Sequence, residues 1–110
     1  MNTAAGGGWT VSEILQRQGA VDEQHKLSAR ELCLLLGVSN RKLGAMIEDE
    51  RQEGFAICSV WRGRGGYFLA NPRAPDGIAA IVDCCQSLTN RAERMKETAD
   101  WLLAAVEERG

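Results

Sequence analysis

A helix-start signal that occurs three times within residues 10–39 constrains the fold of this chain more than any other feature. Thr10 with Glu13, and Ser28 with Glu31, have the spacing of a capping box, in which each side chain hydrogen-bonds the backbone N–H of the other residue. Ser39 is a third N-cap residue, and a glycine follows each segment where a helix would end in a left-handed turn. The three predicted helices cover residues 11–18, 29–36 and 40 to 52 or 53, and their terminating glycines are Gly19, Gly37 and Gly54.

The second and third predicted helices are joined only by Gly37, Val38 and Ser39. So short a connection containing a glycine is typical of a helix-turn-helix. Apolar residues recur on one face of each helix and predict a small three-helix core. These core residues are Ile14 and Leu15 in the first helix, Leu32, Leu35 and Leu36 in the second, and Leu43, Met46 and Ile47 in the third.

The apolar period changes after the third helix and predicts a β-hairpin. Residues 55–61 and 67–70 are rich in β-branched and aromatic side chains, and they flank the glycine-rich loop Arg62–Gly66. Residues 71–75 contain two prolines and break the chain again. The aromatic residues that we expect in the sheet and core are Phe55, Trp61 and Tyr67.

Residues 76–108 carry the most regular pattern in the chain. Apolar residues recur there at intervals of three and four without interruption, which is a heptad pattern. A continuous helix would be about 50 Å long, too long for a small domain to cover, so we expect a coiled-coil homodimer. The alternative is a helix that breaks at residues 87–90 and folds back, with Asn90 and Glu93 capping the second piece. The predicted dimerisation residues are Ile78, Ile81, Cys85, Leu88, Met95, Leu102 and Val106, with Ala92 and Ala99 completing the pattern.

Composition places the chain among small globular proteins. It has 110 residues, of which 45% are hydrophobic and 25% charged, which suits one domain with an appendage. No apolar run approaches the roughly 20 residues that cross a bilayer, and residues 1–8 lack the basic and apolar segments of a signal peptide. We therefore expect a cytoplasmic protein with a flexible N-terminus over 1–8, a domain over 9–73 and a dimerisation helix over 76–108.

The cysteines and the single histidine do not have the spacing of a metal site. Cys33, Cys58, Cys84 and Cys85 form no Cys-x-x-Cys pair, and His25 is remote from all of them. We expect reduced thiols, three or four of them partly buried, and an exposed histidine. With no phosphate-binding glycine fingerprint either, we expect no metal, no cofactor, no small-molecule substrate and no enzymatic activity.

Charge is unevenly distributed along a chain whose net charge is −2. Basic residues outnumber acidic ones only within residues 26–73. There the third helix begins with polar and basic side chains, and the hairpin loop alternates arginines with glycines, which suits contacts to phosphates and base edges. The predicted DNA contacts are Ser39, Asn40, Arg41, Lys42, Gly44, Ala45, Arg62 and Arg64.

The second half of the third helix is acidic. Glu48, Asp49, Glu50 and Glu53 would repel phosphates, and they lie at the end of the helix where the dipole disfavours negative charge. Either DNA contact is confined to the N-terminal half of this helix, or the acidic end is a docking surface for another protein.

Motifs spread over residues 10–73 match a known pattern. They are Leu27–Leu32, Leu36–Ser39, Arg41, Ile47, Arg51, Gly54, Ile57–Ser59 and Gly65–Ala70. Together they resemble the winged helix-turn-helix domain of the biotin-operon-repressor type, and more closely the small winged helix proteins of phages and prophages, which also carry a helical tail. The resemblance implies double-stranded DNA binding through the start of the third helix and the wing, without biotin ligase activity. Glu50 departs from the pattern, because such domains often have an apolar residue there; it implies a different packing of the helix end or an acidic patch that faces a partner.

The sequence therefore favours a mainly α fold with a small β-hairpin, a winged helix-turn-helix followed by a long, coiled-coil-like C-terminal helix. The function that we expect is double-stranded DNA binding by a homodimer, as a transcriptional regulator or replication accessory of phage or mobile-element origin. The alternative is a winged helix protein-interaction module that does not bind DNA.

Overall fold

The computed structural model describes residues 8–109. Within them the chain is mainly helical, with one antiparallel hairpin and a long C-terminal helix. Residues 1–7 of the predicted flexible N-terminus lie outside the described residues. The elements are α1 (Val11–Arg17), a 3₁₀ turn (Glu23–His25), α2 (Ala29–Leu36), α3 (Asn40–Gln52), β1 (Ile57–Val60), β2 (Gly66–Leu69) and α4 (Pro75–Arg109).

The predicted helix starts are confirmed by their hydrogen bonds. Thr10 Oγ1 accepts from the Glu13 amide at 3.0 Å, and Glu13 Oε1 accepts from the Thr10 amide at 2.8 Å. Ser28 and Glu31 form the second capping box at the start of α2. Gly37 ends α2 with a φ of +71°, a left-handed conformation that glycine adopts without steric cost. The α2–α3 connection is therefore the three residues that the sequence predicts.

Helices α1, α2 and α3 pack around one apolar core, which one face of the hairpin also covers. Leu35 was expected in this core and is instead 46% exposed. Leu32 and Leu36 lie one turn apart and occupy the centre of the buried face of α2, and Leu35 lies at the edge of that face. The buried residues are Val11, Ile14, Leu15, Ala20, Leu32, Leu36, Leu43, Ile47 and Ile57.

The hairpin is shorter than predicted, and it is fastened to the segment before α2. Ile57 pairs with Leu69 and Val60 with Gly66. Leu27 extends the sheet by one residue, since it exchanges two backbone hydrogen bonds with Tyr67, of 2.9 and 2.8 Å. Tyr67 is half-buried as expected.

Two aromatic residues that we expected in the sheet and core lie outside both. Phe55 precedes β1 and Trp61 follows it, and they are 45% and 52% exposed. Strand β1 includes neither position, so the hairpin does not hold either side chain against the core.

The second face of the hairpin packs against the base of α4. Cys58, Val60 and Phe68 of the hairpin contact Cys84 of α4 in a second buried cluster, with Ile81 partly buried beside it. Helix α4 is continuous over 35 residues, so the alternative of a break at residues 87–90 is wrong. Every residue from Leu88 to Glu107 is exposed. Like the other helices of the described range, α4 lacks the length of apolar sequence that a membrane crossing requires.

The predicted burial of the cysteines and the predicted exposure of the histidine are confirmed. Cys58 and Cys84 are buried, Cys33 is half-buried and Cys85 is exposed, all as free thiols. His25 is exposed in the 3₁₀ turn, where its Nδ1 lies 2.7 Å from Asp22. This hydrogen bond lowers the pKa of Asp22.

Glu50 does not belong to the exposed acidic end of α3. Its side chain is buried, and its carboxylate accepts hydrogen bonds from the backbone amides of Val11 and Ser12, both at 2.8 Å, and from the Ser12 hydroxyl at 2.5 Å. These amides are the first two of α1, which no carbonyl of the helix can pair. The departure of Glu50 from the winged helix pattern is thus explained by packing at the helix end and not by an acidic patch.

Candidate nucleic-acid interface

The first turn of α3 presents the polar and basic residues that the sequence singles out. Ser39 caps this turn, because its Oγ accepts a hydrogen bond from the Lys42 amide at 3.1 Å. Asn40 Oδ1 accepts from the Cys33 thiol at 3.4 Å, which ties the start of α3 to α2. Arg41 and Lys42 are exposed. They belong to the end of the helix where unpaired amides and the dipole favour an anion.

The outer face of α3 forms a stripe that begins at Arg41. Gly44 lies one turn after Arg41 and Glu48 one turn after Gly44, on the side opposite to Leu43. A Cβ placed on Gly44 would meet no atom within 4 Å, and the neighbouring Ala45 is also exposed. The side chains at the N-terminal end of this stripe are therefore small, so that another molecule can approach the backbone there, whereas the stripe is acidic further along.

A surface groove of about 360 Å³ joins this stripe to the hairpin and to α4. Gly44 and Glu48 of α3 line it, together with Trp61, which follows β1, and Tyr67 of β2. Arg91 of α4 also lines it, and its guanidinium lies 3.7 Å from the centre of the Trp61 ring. The complete lining is Gly44, Ile47, Glu48, Arg51, Ser59, Trp61, Tyr67, Leu88 and Arg91.

Arg51 fixes the position of α3 relative to the hairpin. Its Nε donates to the carbonyl of Ile57 at 2.9 Å, and its terminal nitrogen donates to Ser59 Oγ at 3.4 Å. Both acceptors belong to β1, so the last turn of α3 cannot move away from the sheet without breaking charge-assisted hydrogen bonds. The groove is therefore built on a rigid base.

The hairpin loop depends on its glycines. Gly63, Gly65 and Gly66 all have positive φ. A Cβ on Gly66 would lie 2.8 Å from the carbonyl oxygen of Leu27, which is part of the single-residue extension of the sheet. Close approach of two backbones thus requires glycine at this position.

The two loop arginines line different grooves. Arg62 lies 3.5 Å from Glu23 and lines a small groove next to α4, whereas Arg64 lines a groove with Ala29 and Tyr67. Both are exposed. Both of these grooves share Ser59 and Trp61 with the α3 groove, and the Arg64 groove shares Tyr67 as well, so both loop arginines lie beside the surface that α3 forms with the hairpin.

Trp61 and Arg91 complete this surface, and sequence reasoning did not assign either of them to it. Trp61 was expected in the sheet, and Arg91 belongs to the helix that was interpreted only as a dimerisation element. Their contact joins segments that are 30 positions apart in the chain. No local pattern marks such a pair, because both residues are individually ordinary surface side chains.

Two buried thiols lie beneath the hairpin. Cys84 Sγ lies 3.5 Å from the Ser59 amide and 3.7 Å from its hydroxyl. Hydrogen bonding from Cys58, supported by these bonds from Ser59, lowers the pKa of Cys84. The same hydrogen bond, together with burial, raises the pKa of Cys58. In the described part of the chain no three His, Cys, Asp or Glu side chains converge as metal ligands would.

No protein-family model, curated protein or solved structure matches this chain. Its function is therefore inferred from the geometry and charge of the surface that α3, the hairpin and α4 form together.

Proposed function

We propose that the chain is a double-stranded DNA-binding protein of the winged helix-turn-helix type that acts as a homodimer. Its role would be that of a transcriptional regulator or replication accessory of phage or mobile-element origin. One observation carries this proposal: the outer stripe of α3 and the hairpin line a common groove, with Arg41 at the start of the stripe and Arg64 on the adjoining loop.

The order of the elements supports the winged helix assignment. Three helices precede a hairpin, α2 and α3 are separated by three residues, and the segment before α2 pairs with β2 through Leu27. In winged helix domains α3 enters the major groove and the hairpin contacts the flanking backbone. Arg51 would hold these two DNA-contacting elements at a fixed angle.

The charges of α3 restrict how this helix would enter the major groove of DNA. Glu48 and Asp49 are exposed on its second half, and Glu53 is exposed directly after its last residue, where these carboxylates repel phosphates. Arg41 and Lys42 occupy the first turn, and Gly44 lets the backbone of the next turn approach the bases. Contact is therefore made by the N-terminal half of α3, with Arg64 on a neighbouring phosphate or in the minor groove.

The test is a titration of labelled duplex DNA with the Arg41→Ala/Lys42→Ala variant at several salt concentrations. If both cations contact phosphates, the slope of log affinity against log salt should fall by about 2. A matched control removes two exposed cations elsewhere, Arg73→Ala/Arg94→Ala, and should keep the parental slope. Equal binding by the parent and the α3 variant would refute the proposal.

A second candidate function, a protein-interaction module, is favoured by the three exposed carboxylates of α3. Glu48, Asp49 and Glu53 form an acidic surface that suits a basic partner protein. The two candidates differ in one simple measurement, which is retention on heparin and on random duplex DNA at low ionic strength. A chain that passes through both columns supports the interaction module over DNA binding.

A further inference from the structure

An apolar stripe runs along α4 from its base to its distal end. Leu88, Met95, Leu102 and Val106 are 36%, 65%, 66% and 66% exposed within the single chain. We call this set the α4 stripe; its members are Ile78, Ile81, Cys85, Leu88, Ala92, Met95, Ala99, Leu102 and Val106. So large a contiguous apolar surface marks an interaction site.

The proximal part of the α4 stripe forms one wall of a groove of about 400 Å³, which we call the base groove. Ile81, Cys85 and Leu88 lie on the α4 side, and Phe55 and Pro72 lie on the opposite side. Phe55 is large, apolar and half exposed, which is otherwise unexplained. The distal part of α4 has no such second wall, because it extends beyond the rest of the chain.

We propose that the base groove binds the distal half of α4 from a second copy of this chain, with the two helices antiparallel and Leu102 of each copy against Cys85 of the other. This inference rests on the homodimer of the proposed function and adds its geometry. The two contacts are identical by symmetry, because each copy offers one base groove and one distal segment.

The period of the stripe identifies a helix as the occupant. When a straight helix packs on a sheet or a loop, its apolar residues repeat every 3.6 residues. An apolar repeat of 3.5 residues is instead typical of two helices that wind around each other. The α4 stripe keeps the 3.5-residue repeat from Ile81 to Val106. This overlap is about 38 Å long at 1.5 Å per residue.

The sizes of the stripe residues favour antiparallel pairing. In a parallel dimer each position faces its own copy, so Ala92 and Ala99 would face alanines while Met95 and Leu102 face equally large residues. Helices kept apart by the large pairs leave voids at the small ones. In the antiparallel register every large residue meets a smaller one. The resulting layers are Cys85 with Leu102, Leu88 with Ala99, and Ala92 with Met95, closed at both ends by Ile81 with Val106.

Two apolar residues beside the stripe fit the same register. Val82 and Leu103 both follow a stripe residue directly, and they are 50% and 62% exposed. Residues in this flanking position face each other across an antiparallel pair but not across a parallel one. The register that joins Cys85 to Leu102 also places Val82 against Leu103, so that both side chains are covered.

Disulfide trapping with the native Cys85 tests the orientation without DNA. Mild oxidation should leave the parent chain uncrosslinked through Cys85, because the two copies of this residue would lie about 25 Å apart along the pair. The Leu102→Cys variant should form a covalent dimer between residues 85 and 102. Adding Cys85→Ser should abolish that dimer. Peptide mapping by mass spectrometry identifies the linked residues.

A parallel dimer would give the reverse pattern, with a Cys85–Cys85 link in the parent and undiminished crosslinking of the Leu102→Cys/Cys85→Ser variant. Either result, or a monomer by light scattering at high micromolar concentration, overturns the inference. If Leu102→Cys itself lowers the dimer fraction, Val82→Cys/Leu103→Cys replaces it and should crosslink between copies. Duplex binding is measured separately, so loss of DNA binding with intact crosslinks would count only against the proposed function.

Discussion

Glu50 of α3 pairs with Ser12 of α1 across 38 positions of sequence, and its Oε1 lies 2.8 Å from the Ser12 amide and 2.5 Å from the Ser12 hydroxyl. Its other oxygen accepts from the Val11 amide. One carboxylate of α3 thus accepts hydrogen bonds from the first two backbone amides of α1. In most helices a side chain at the N-terminus of the same helix pairs such amides.

Replacing Glu50 with alanine should therefore destabilise the packing of α1, α2 and α3 around their common core. The variant leaves two buried amides without an acceptor, and we expect the free energy of unfolding to fall by about 3 kcal/mol. Glu50→Gln keeps one acceptor oxygen and should lose less. Urea denaturation followed by circular dichroism measures both changes.

The matched control for this prediction is Glu53→Ala, which removes an exposed carboxylate from the end of the same helix. Its effect should stay within about 0.5 kcal/mol. If Glu50→Ala were as mild as Glu53→Ala, the hydrogen bonds to α1 would not contribute to stability.

Two helical glycines should respond in opposite directions to alanine. Gly44→Ala places its methyl group in open space on α3 and should stabilise the fold by about 1 kcal/mol through helix propensity. Gly77→Ala in the first turn of α4 would drive its Cβ into the backbone of Asn71, whose carbonyl carbon and amide nitrogen would be 2.7 and 2.9 Å away. We expect a loss of about 2 kcal/mol. Thermal denaturation shows whether each variant is more or less stable than the parent. An increase in stability for both variants would contradict the close packing of α4 on Asn71.

Arg91 should stabilise the turn of α4 around residues 88–92 through its contact with Trp61. Its guanidinium stacks on Trp61, and an exposed contact of this kind contributes about 0.5–1 kcal/mol. Arg91→Ala should therefore increase amide hydrogen exchange in α4 near residues 88–92. Arg94→Ala removes an exposed arginine one turn further along and should leave that exchange unchanged.

The thiol of Cys84 should make stability depend on pH. Its pKa is lowered in the folded state by hydrogen bonds from Cys58 and Ser59, relative to an ordinary value of 9.0. Between the lowered pKa and 9.0 the unfolded chain binds more protons than the folded one, so stability should rise with pH in that window. The raised pKa of Cys58 acts only above 9.0 and in the opposite direction.

Urea denaturation in reducing buffer at about pH 7.5 and 8.5, where carboxylates no longer titrate, measures this effect. Cys84→Ala should remove the increase that the parent shows. An identical pH dependence of the parent and this variant would mean that Cys84 does not carry it.

The parts of the fold that sequence predicts are those encoded within a few residues. The capping boxes at Thr10 and Ser28, the glycine stop at Gly37 and the heptad repeat of α4 are local patterns, and each appears where expected. The hairpin is also local, although its strands are shorter than the apolar runs that predicted them.

Contacts between distant segments could not be predicted in this way. Glu50 was grouped with Glu48 and Asp49 because adjacent charges look alike in a sequence, and only the position of α1 distinguishes it. Similarly, Trp61 is exposed because it meets Arg91 of α4 and not the core. The predicted DNA contacts of α3 remain a prediction; the structure adds that Arg62 lies 3.5 Å from Glu23.

The length of α4 would set the distance between the two DNA-contacting surfaces of the proposed dimer. In the proposed antiparallel pair, α4 of each copy would meet its hairpin near Cys84, and the two Cys84 residues would lie about 28 Å apart along the paired helices. One turn of duplex DNA repeats at about 34 Å. If the proposed dimer binds DNA, the paired α4 helices would therefore hold the two DNA-contacting surfaces nearly one helical repeat apart. Lengthening α4 by a heptad would then shift the preferred distance between half-sites without altering the residues that contact each half-site.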